Sequence, residues 1–583
     1  MYLKKVKKKD GRIYLTIAEG RHINGKSKTF HLETIGYVDE LISPTCPDPI
    51  AYWTEEVARR NKEAKQKQIP LVVEFSPKQK IDKRDVHTLE LGAAIVDRYF
   101  YCDLGIWDFF EKKRTARKFD FDPVRILELL VFDRIAHPSS KKACFENKDH
   151  FPRKCDFTLD DMYRALTYFD THAPSLIDAM NASFARMRGP RKLNHFYYDV
   201  TNYYFEIETE DIKGLRRRGV SKEHRPNPIV QMGLLLDADG IPYNFDIFSG
   251  NTNDMITLLP VMKKAHLRDV NERVVVVADK GLNTSTNIAA CLLDNNGFIF
   301  SQSVRKATAN LKKWVLTEKG YSYNADNTYK RKSRISEKTI FVEDANGKKH
   351  PEAITVKEVA FWSKDHFDKV RAERERIIAK SVGAIENREM NAAIIHSKAR
   401  YVKSTPINKQ TGEIGVLAHT LDEKKIAEDE ALDGYYCIVT SEVEMSDKEI
   451  LDTYHGLWRI EESFRVIKGD FAARPVYLSR EDHIKAHFLI CYIALMITRL
   501  IQLDTNHQYS ATQIAQAIRN IVGHNLDKNL FYFDYRTDIT DELCKAVGID
   551  LTRRIMTKGE ITEVMANVRK PDTKKNTAEK KSR

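Results

Sequence analysis

The stretch His195-Phe196-Tyr197-Tyr198-Asp199-Val200-Thr201-Asn202 is aromatic and β-branched, with one carboxylate in its middle. Such a run reads as a strand, and a lone acid inside a strand is costly unless it is paired or binds a cation. Working outward, Ile229 to Leu236 is a second strand, and Ala238-Asp239-Gly240 turns it into a third from Ile241 to Phe248. A helix from about Asp254 to Leu267, a buried strand Arg273 to Ala278, a helix Ser285 to Asp294 and a strand Gly297 to Ser303 complete the block. The order β-β-β-α-β-α-β predicts an α/β fold, a mixed sheet flanked by helices. Asp279 then stands at the C-terminal edge of the fourth strand, where open α/β sheets place ligands. Either acid taken alone also reads as a turn or helix-capping residue.

The flanking segments have other characters. Residues 1–40 alternate polar and apolar positions around Asn24-Gly25 and predict a small β region. Residues 41–85, with Pro44, Pro47 and Pro49, read as a connector. Residues 86–190 follow a helical period and predict an all-α domain. After the first part of the core (191–303), residues 304–430 break the regularity and predict a β-rich insertion. The core resumes over 431–505 with a strand at Tyr435 to Ser441, one long helix Ser446 to Gly469 and an apolar helix Glu481 to Leu503. A C-terminal region (506–568) and a basic tail (569–583) close the chain.

Composition narrows the function. Lys and Arg exceed Asp and Glu by 95 to 83, a net charge of +12, which favours a polyanionic partner, nucleic acid first. The eight cysteines form no CxxC pair, which fits reduced thiols and argues against zinc. No Walker loop occurs, against a nucleotide-driven engine. The apolar run Phe488 to Ile497 is about half a membrane span, and the N-terminus has no apolar core for a secretory signal, so the protein is expected in the cytoplasm.

The long helix supplies a third acid. At about 100° per residue and with Glu461 as zero, Tyr454, Arg465 and Lys468 share its stripe. Leu457, Ile460, Phe464, Ile467 and Phe471 form the packed face. Glu461 falls at the margin of that face and Glu462 turns to solvent. The same pattern describes an ordinary amphipathic helix with surface ion pairs. Three carboxylates from two strands and a helix suit a two-metal phosphoryl-transfer site.

These residues carry a family resemblance. The sequence resembles the DDE transposases of bacterial insertion sequences, in the group whose last acid sits in a Tyr-x2-Arg-x3-Glu-x6-Lys signature. Tyr454, Glu461 and Lys468 match that spacing, while Leu457 replaces the Arg and Arg465 is the nearest substitute. Tyr198-Asp199-Val200-Thr201-Asn202, Gly250-Asn251-Thr252-Asn253-Asp254, Ala278-Asp279-Lys280-Gly281 and Arg474-Pro475-Val476-Tyr477 add to the likeness. The resemblance implies an RNase H-like core with Asp199, Asp279 and Glu461 as catalytic and metal-binding residues and Mg²⁺ or Mn²⁺ as cofactor. It also implies cleavage at the element ends followed by strand transfer, double-stranded DNA as partner, and a homodimer in the DNA complex. An endonuclease that does not join strands and a non-catalytic DNA-binding protein are the alternatives.

Among the other features, Asp254 reads as a helix cap. Arg216, Arg217, Arg218 and Lys222 lie in a basic loop suited to a DNA backbone or to solvent. Trp314 and Trp362 read as core residues before base-stacking ones, and His195 and His487 as structural rather than metal-binding.

Overall fold

A computed structural model describes residues 1–570 except 9, 24–25, 44–45, 67–87, 115–119, 266–272, 344–346, 387–400, 407–416 and 528. The predicted Asn24-Gly25 turn, the second half of the connector and nearly all of the basic tail lie outside the described residues. Residues 1–83 and 84–583 are two compact units. The first contains three antiparallel strands, Tyr2–Lys7, Ile13–Ile23 and Lys26–Tyr37, as their alternation predicts, and a helix Pro49–Gln66.

Among the described residues the second unit is built on a nine-stranded sheet. In chain order its strands are β1 (His195–Tyr204), β2 (Ile229–Leu236), β3 (Pro242–Ser249), β4 (Val275–Ala278), β5 (Gly297–Gln302), β6 (Ser322–Tyr323), β7 (Tyr329–Glu343), β8 (Lys349–Ser363) and β9 (Tyr435–Thr440). Their spatial order is β6-β7-β8-β9-β5-β4-β1-β2-β3. Only β1, β4 and β5 run parallel to one another; the other pairings are antiparallel, so the sheet is mixed as predicted. The inserted residues contribute more to it than an appended lobe would. β8 pairs with β9 over Lys357–Trp362, so the hairpin β7–β8 continues the sheet beyond β9.

The main helices are α1 (Pro123–Ala136), α2 (Leu159–Arg188), α3 (Leu258–Lys264), α4 (Ser285–Leu293), α5 (Lys364–Glu386), α6 (Asp447–His455), α7 (Trp458–Lys468) and α8 (Glu481–Asp504). Strand alternation sorts the core into two faces. Phe196, Tyr198, Val200, Val276 and Ala278 pack with Leu258 and Val261 of α3 and Ile288 of α4. Tyr197, Tyr203, Val275 and Val277 point the other way and join Ile460, Phe464 and Ile467 of α7 and the apolar side chains of α8. That helix is long and apolar enough to cross a membrane, yet nearly all of its most apolar stretch is buried inside the protein. A helix apolar on all sides is one surrounded by protein.

Two predicted elements differ from the structure. The helical block is not wholly α: Thr88–Glu90 pairs with Val522–Asp527, in a four-stranded sheet that ties the block to the C-terminal region. The long helix Ser446 to Gly469 is two helices, α6 and α7, separated at Gly456-Leu457.

Candidate active site

Register brings the first two acids together. β1 and β4 are parallel neighbours, and Tyr198 is paired with Ala278, so Asp199 and Asp279 are the next residue on each strand. By alternation both fall on the face of Tyr197, Val275 and Val277, the face that α7 covers. Asp279 is exposed at the strand end, with its Oδ1 accepting from the Ser301 hydroxyl at 2.7 Å and from the Tyr454 hydroxyl at 3.4 Å. Asp199 is half-buried. Burial pushes its carboxyl up to about 6, against the pull of Lys222 and with the help of the Asp279 and Asp254 charges.

Glu461 is exposed on the first turn of α7. Its charge and that of Asp279 both reach the Tyr436 phenol, whose pKa is raised by burial first and then by these acids. Asp279 and Glu461 therefore border one region around Tyr436, and Asp199 lies next to Asp279 at the C-terminal ends of the parallel strands. Among the described residues no three His, Cys, Asp or Glu side chains are gathered closely enough to enclose a metal ion by themselves. The donor set nevertheless fits a hard divalent cation. Its members offer only carboxylate oxygens, Asp199 carries the cost of burial together with the Asp279 and Asp254 charges, and Mg²⁺ typically takes one or two carboxylates and completes its shell with water and substrate phosphates.

The basic residues predicted from the sequence divide. Lys468 is half-buried, 3.4 Å from Glu223, and burial and Lys222 bring its ammonium down to about 8, with Asp199 opposing. Lys222 is exposed and donates to the Val200 carbonyl at 2.5 Å, which fixes its charge beside β1. Arg465 is exposed and 3.8 Å from Glu462, and Arg218 is exposed with one nitrogen on the Glu208 carbonyl. Arg216 and Arg217 are engaged within their own loop. Arg216 grips the Asp211 carboxylate, Arg217 donates to the Asp211 and Ile212 carbonyls, and both shape their own loop instead of presenting a free cation.

Other expectations also change. Tyr454 stands on α6, a separate helix from that of Glu461, and its hydroxyl donates to Asp279. Glu462 does not turn to solvent: it is half-buried and ion-paired to Arg499 at 3.1 Å. Asn253, not Asp254, caps the turn 254–256, its side chain accepting from the Met255 amide. Asp254 is half-buried, and its turn packs against the Lys280–Leu282 turn that follows Asp279. Leu457, in place of the signature Arg, packs against the core. Trp314 lies under Lys332 and Arg334, and Trp362 donates to the Asp433 carbonyl, both as structural residues. His195 is bonded to Tyr197, and His487 to the Ala473 carbonyl. Ser301, Tyr436 and Glu223, which binds both Lys468 and Arg474, were not visible as site residues, because only the strand order and the loop path bring them there.

Residues 207–497 match the family model of the transposase DDE domain. The chain belongs to the DDE transposases, enzymes of DNA phosphoryl transfer that generally use divalent metals. The matched span contains Asp279 and Glu461 and begins just after β1, so Asp199 precedes it. A solved structure of the piggyBac transposase synaptic complex with hairpin DNA is similar over 81% of this chain and 82% of that one, at 7% identity and a TM-score of 0.34. No curated protein matches the sequence.

Proposed function

We propose that the chain is a transposase that cuts double-stranded DNA at the ends of an insertion sequence and joins the freed 3′ end to target DNA. In this reading β1 to β5, β9 and α7 form an RNase H-like core, and Asp199, Asp279 and Glu461 hold Mg²⁺ or Mn²⁺. The observation that carries the reading is the register of Asp199 and Asp279 on adjacent parallel strands, beneath the helix that bears Glu461.

A pair of divalent cations bound there supplies an activated attacking oxygen and neutralises charge on the leaving one. The chain's own residues do the rest. Ser301 and Tyr454 orient the Asp279 carboxylate by hydrogen bonds to one of its oxygens. Lys222 and Lys468 place positive charge beside Asp199, where a scissile phosphodiester would lie, and Glu223 fixes Lys468. Arg465 and Arg218 extend this basic rim to solvent. Cleavage and joining are both phosphoryl transfers, so one set of carboxylates serves both. The net charge of +12 suits the polyanion. The N-terminal strands and the helical block would hold the terminal repeats, with two subunits bringing both ends together.

Asp279→Asn tests the assignment, since it removes a ligating charge and little volume. Expected are loss of Mg²⁺-dependent cleavage, weaker Mg²⁺ binding by calorimetry without DNA, and retained DNA binding. Cleavage near the wild-type rate would overturn the assignment, and a joining assay on pre-cut ends separates a transposase from a nuclease.

A further inference from the structure

A cavity of about 310 Å³ opens between the helical block and the segment that follows α7. Its walls include Arg134 from α1, Ser139 and Ser140, Lys141 at the start of the short helix Lys141–Glu146, Tyr163 from α2, and Arg474. Lys141 is 5% exposed, and its ammonium group makes no hydrogen bond or ion pair with any described residue. Arg134 is 3% exposed; it donates to the Phe471 and Ser139 carbonyls at 2.8 and 2.9 Å, while its Nε has no partner. Asp133, whose charge reaches Lys141, is already engaged, for both its oxygens accept from the Ser139 hydroxyl at 3.0 and 3.1 Å. Burial, with Arg134 adding to it, brings Lys141 down to about 8. A buried charge without a partner is expensive, and Lys141, on the same cavity as the unused Arg134 Nε donor, makes a site that an anion completes.

We propose that this cavity binds a phosphate group, with Lys141 as principal ligand and Arg134 and Arg474 as flanking cations. The volume exceeds what a phosphate alone requires, so a strand phosphate with its sugar and a free phosphate both fit. Arg474 connects the cavity to the carboxylate region: it shares Glu223 with Lys468, which lies in the field of Asp199. The inference goes beyond the assignment of the carboxylates and stands on the cavity's own residues.

The test uses the full chain and inorganic phosphate, titrated calorimetrically at constant ionic strength. Wild type should bind, and Lys141→Met should bind at least about tenfold more weakly, the loss expected for a hydrogen bond to a charged group. Without phosphate, the thermal midpoint of Lys141→Met should equal or exceed that of wild type, because an unpaired buried charge has gone. Should that variant not fold, Arg474→Gln gives the same comparison from the cavity mouth. A short oligonucleotide that displaces phosphate identifies a strand phosphate as the occupant, and one that binds alongside it identifies a free phosphate; both uphold the site. No phosphate binding by wild type, or equal binding by Lys141→Met, overturns it. Asp279→Asn should keep phosphate binding while losing cleavage, so the failure of one assignment is distinct from the failure of the other.

Discussion

Glu461 and Glu462 are neighbours whose replacement should have opposite consequences. Glu462 and Arg499 are 21% and 10% exposed in their side chains, and their ion pair joins α7 to the buried helix α8. Arg499 also donates to Gln502 at 2.7 Å and to the Ser463 hydroxyl at 2.9 Å. Removing one partner of a fully buried ion pair costs about 3–5 kcal/mol. Glu462 is partly solvated and Arg499 keeps two neutral partners, so Glu462→Ala should cost about 2 kcal/mol. Unfolding entropy near 2.1 cal/mol/K per residue comes to about 1 kcal/mol/K for a unit on the order of 500 residues, so the thermal midpoint should fall by about 2 °C. Glu461→Ala, at an exposed position without an ion pair among the described residues, should leave the midpoint within about 0.5 °C and remove cleavage. Arg499→Met added to Glu462→Ala should recover most of the loss, since an apolar replacement of a buried ion pair is close to neutral. Scanning calorimetry of the three variants decides. An unchanged midpoint for Glu462→Ala, or an equal fall for Glu461→Ala, would refute this reading of the helix faces.

In chelator, Asp199 should make the fold less stable as pH rises. Its folded carboxyl titrates near 6 against an ordinary 3.8, so the folded chain holds the extra proton between those values and loses stability through that window. Asp199→Asn should abolish this part of the slope in a denaturation series, and parallel curves for the two proteins would contradict it. Tyr454→Phe removes a hydrogen bond to Asp279 and should slow cleavage about tenfold at unchanged DNA affinity; lost affinity would instead place the phenol on the strand. Lys468→Ala should lower the salt slope of log K for end DNA by about 0.9 with end-sequence preference retained. An unchanged slope would mean that Glu223 neutralises Lys468 in the complex.

The sheet was legible because its strands carry the pattern twice over, in composition and in spacing. The run Tyr197 to Tyr203 alternates between two buried faces, and Asp199 interrupts it in a way apolar packing does not explain. The order of elements from β1 to β5 followed from local signals alone. The helix faces were less legible, because a wheel assumes one uniform helix. Ile460, Phe464 and Ile467 are buried as the wheel places them, since they lie on the same side of the break as its origin. Glu462 was misjudged for another reason: a wheel knows only one packing surface, whereas α7 packs on the sheet and on α8 as well. Arg216 and Arg217 read as free cations, but Asp211 and the loop's own carbonyls take their donors, a matter of loop closure that residue types do not reveal. The pairing of β8 with β9 likewise depends on contacts across more than 70 residues of chain.

The break between α6 and α7 makes the site possible. A Cβ at Gly456 would lie 1.8 Å from the Tyr197 hydroxyl and 2.4 Å from its ring carbon, so only glycine lets the chain press onto β1 at this point. The backbone tightens there: Leu457, Arg459 and Ile460 donate to the carbonyls three residues earlier, Tyr454, Gly456 and Leu457, each at 3.1 Å. Three residues per turn instead of 3.6 changes the phase of everything that follows relative to everything before. Tyr454, on the near side of the break, can then reach down to the end of β4, while Glu461, on the far side, stays at the open edge. A continuous helix would keep both on one stripe about 10 Å apart. The Tyr-Glu spacing in the sequence is therefore a spacing across a turn, and the residue that sets it is the glycine between them.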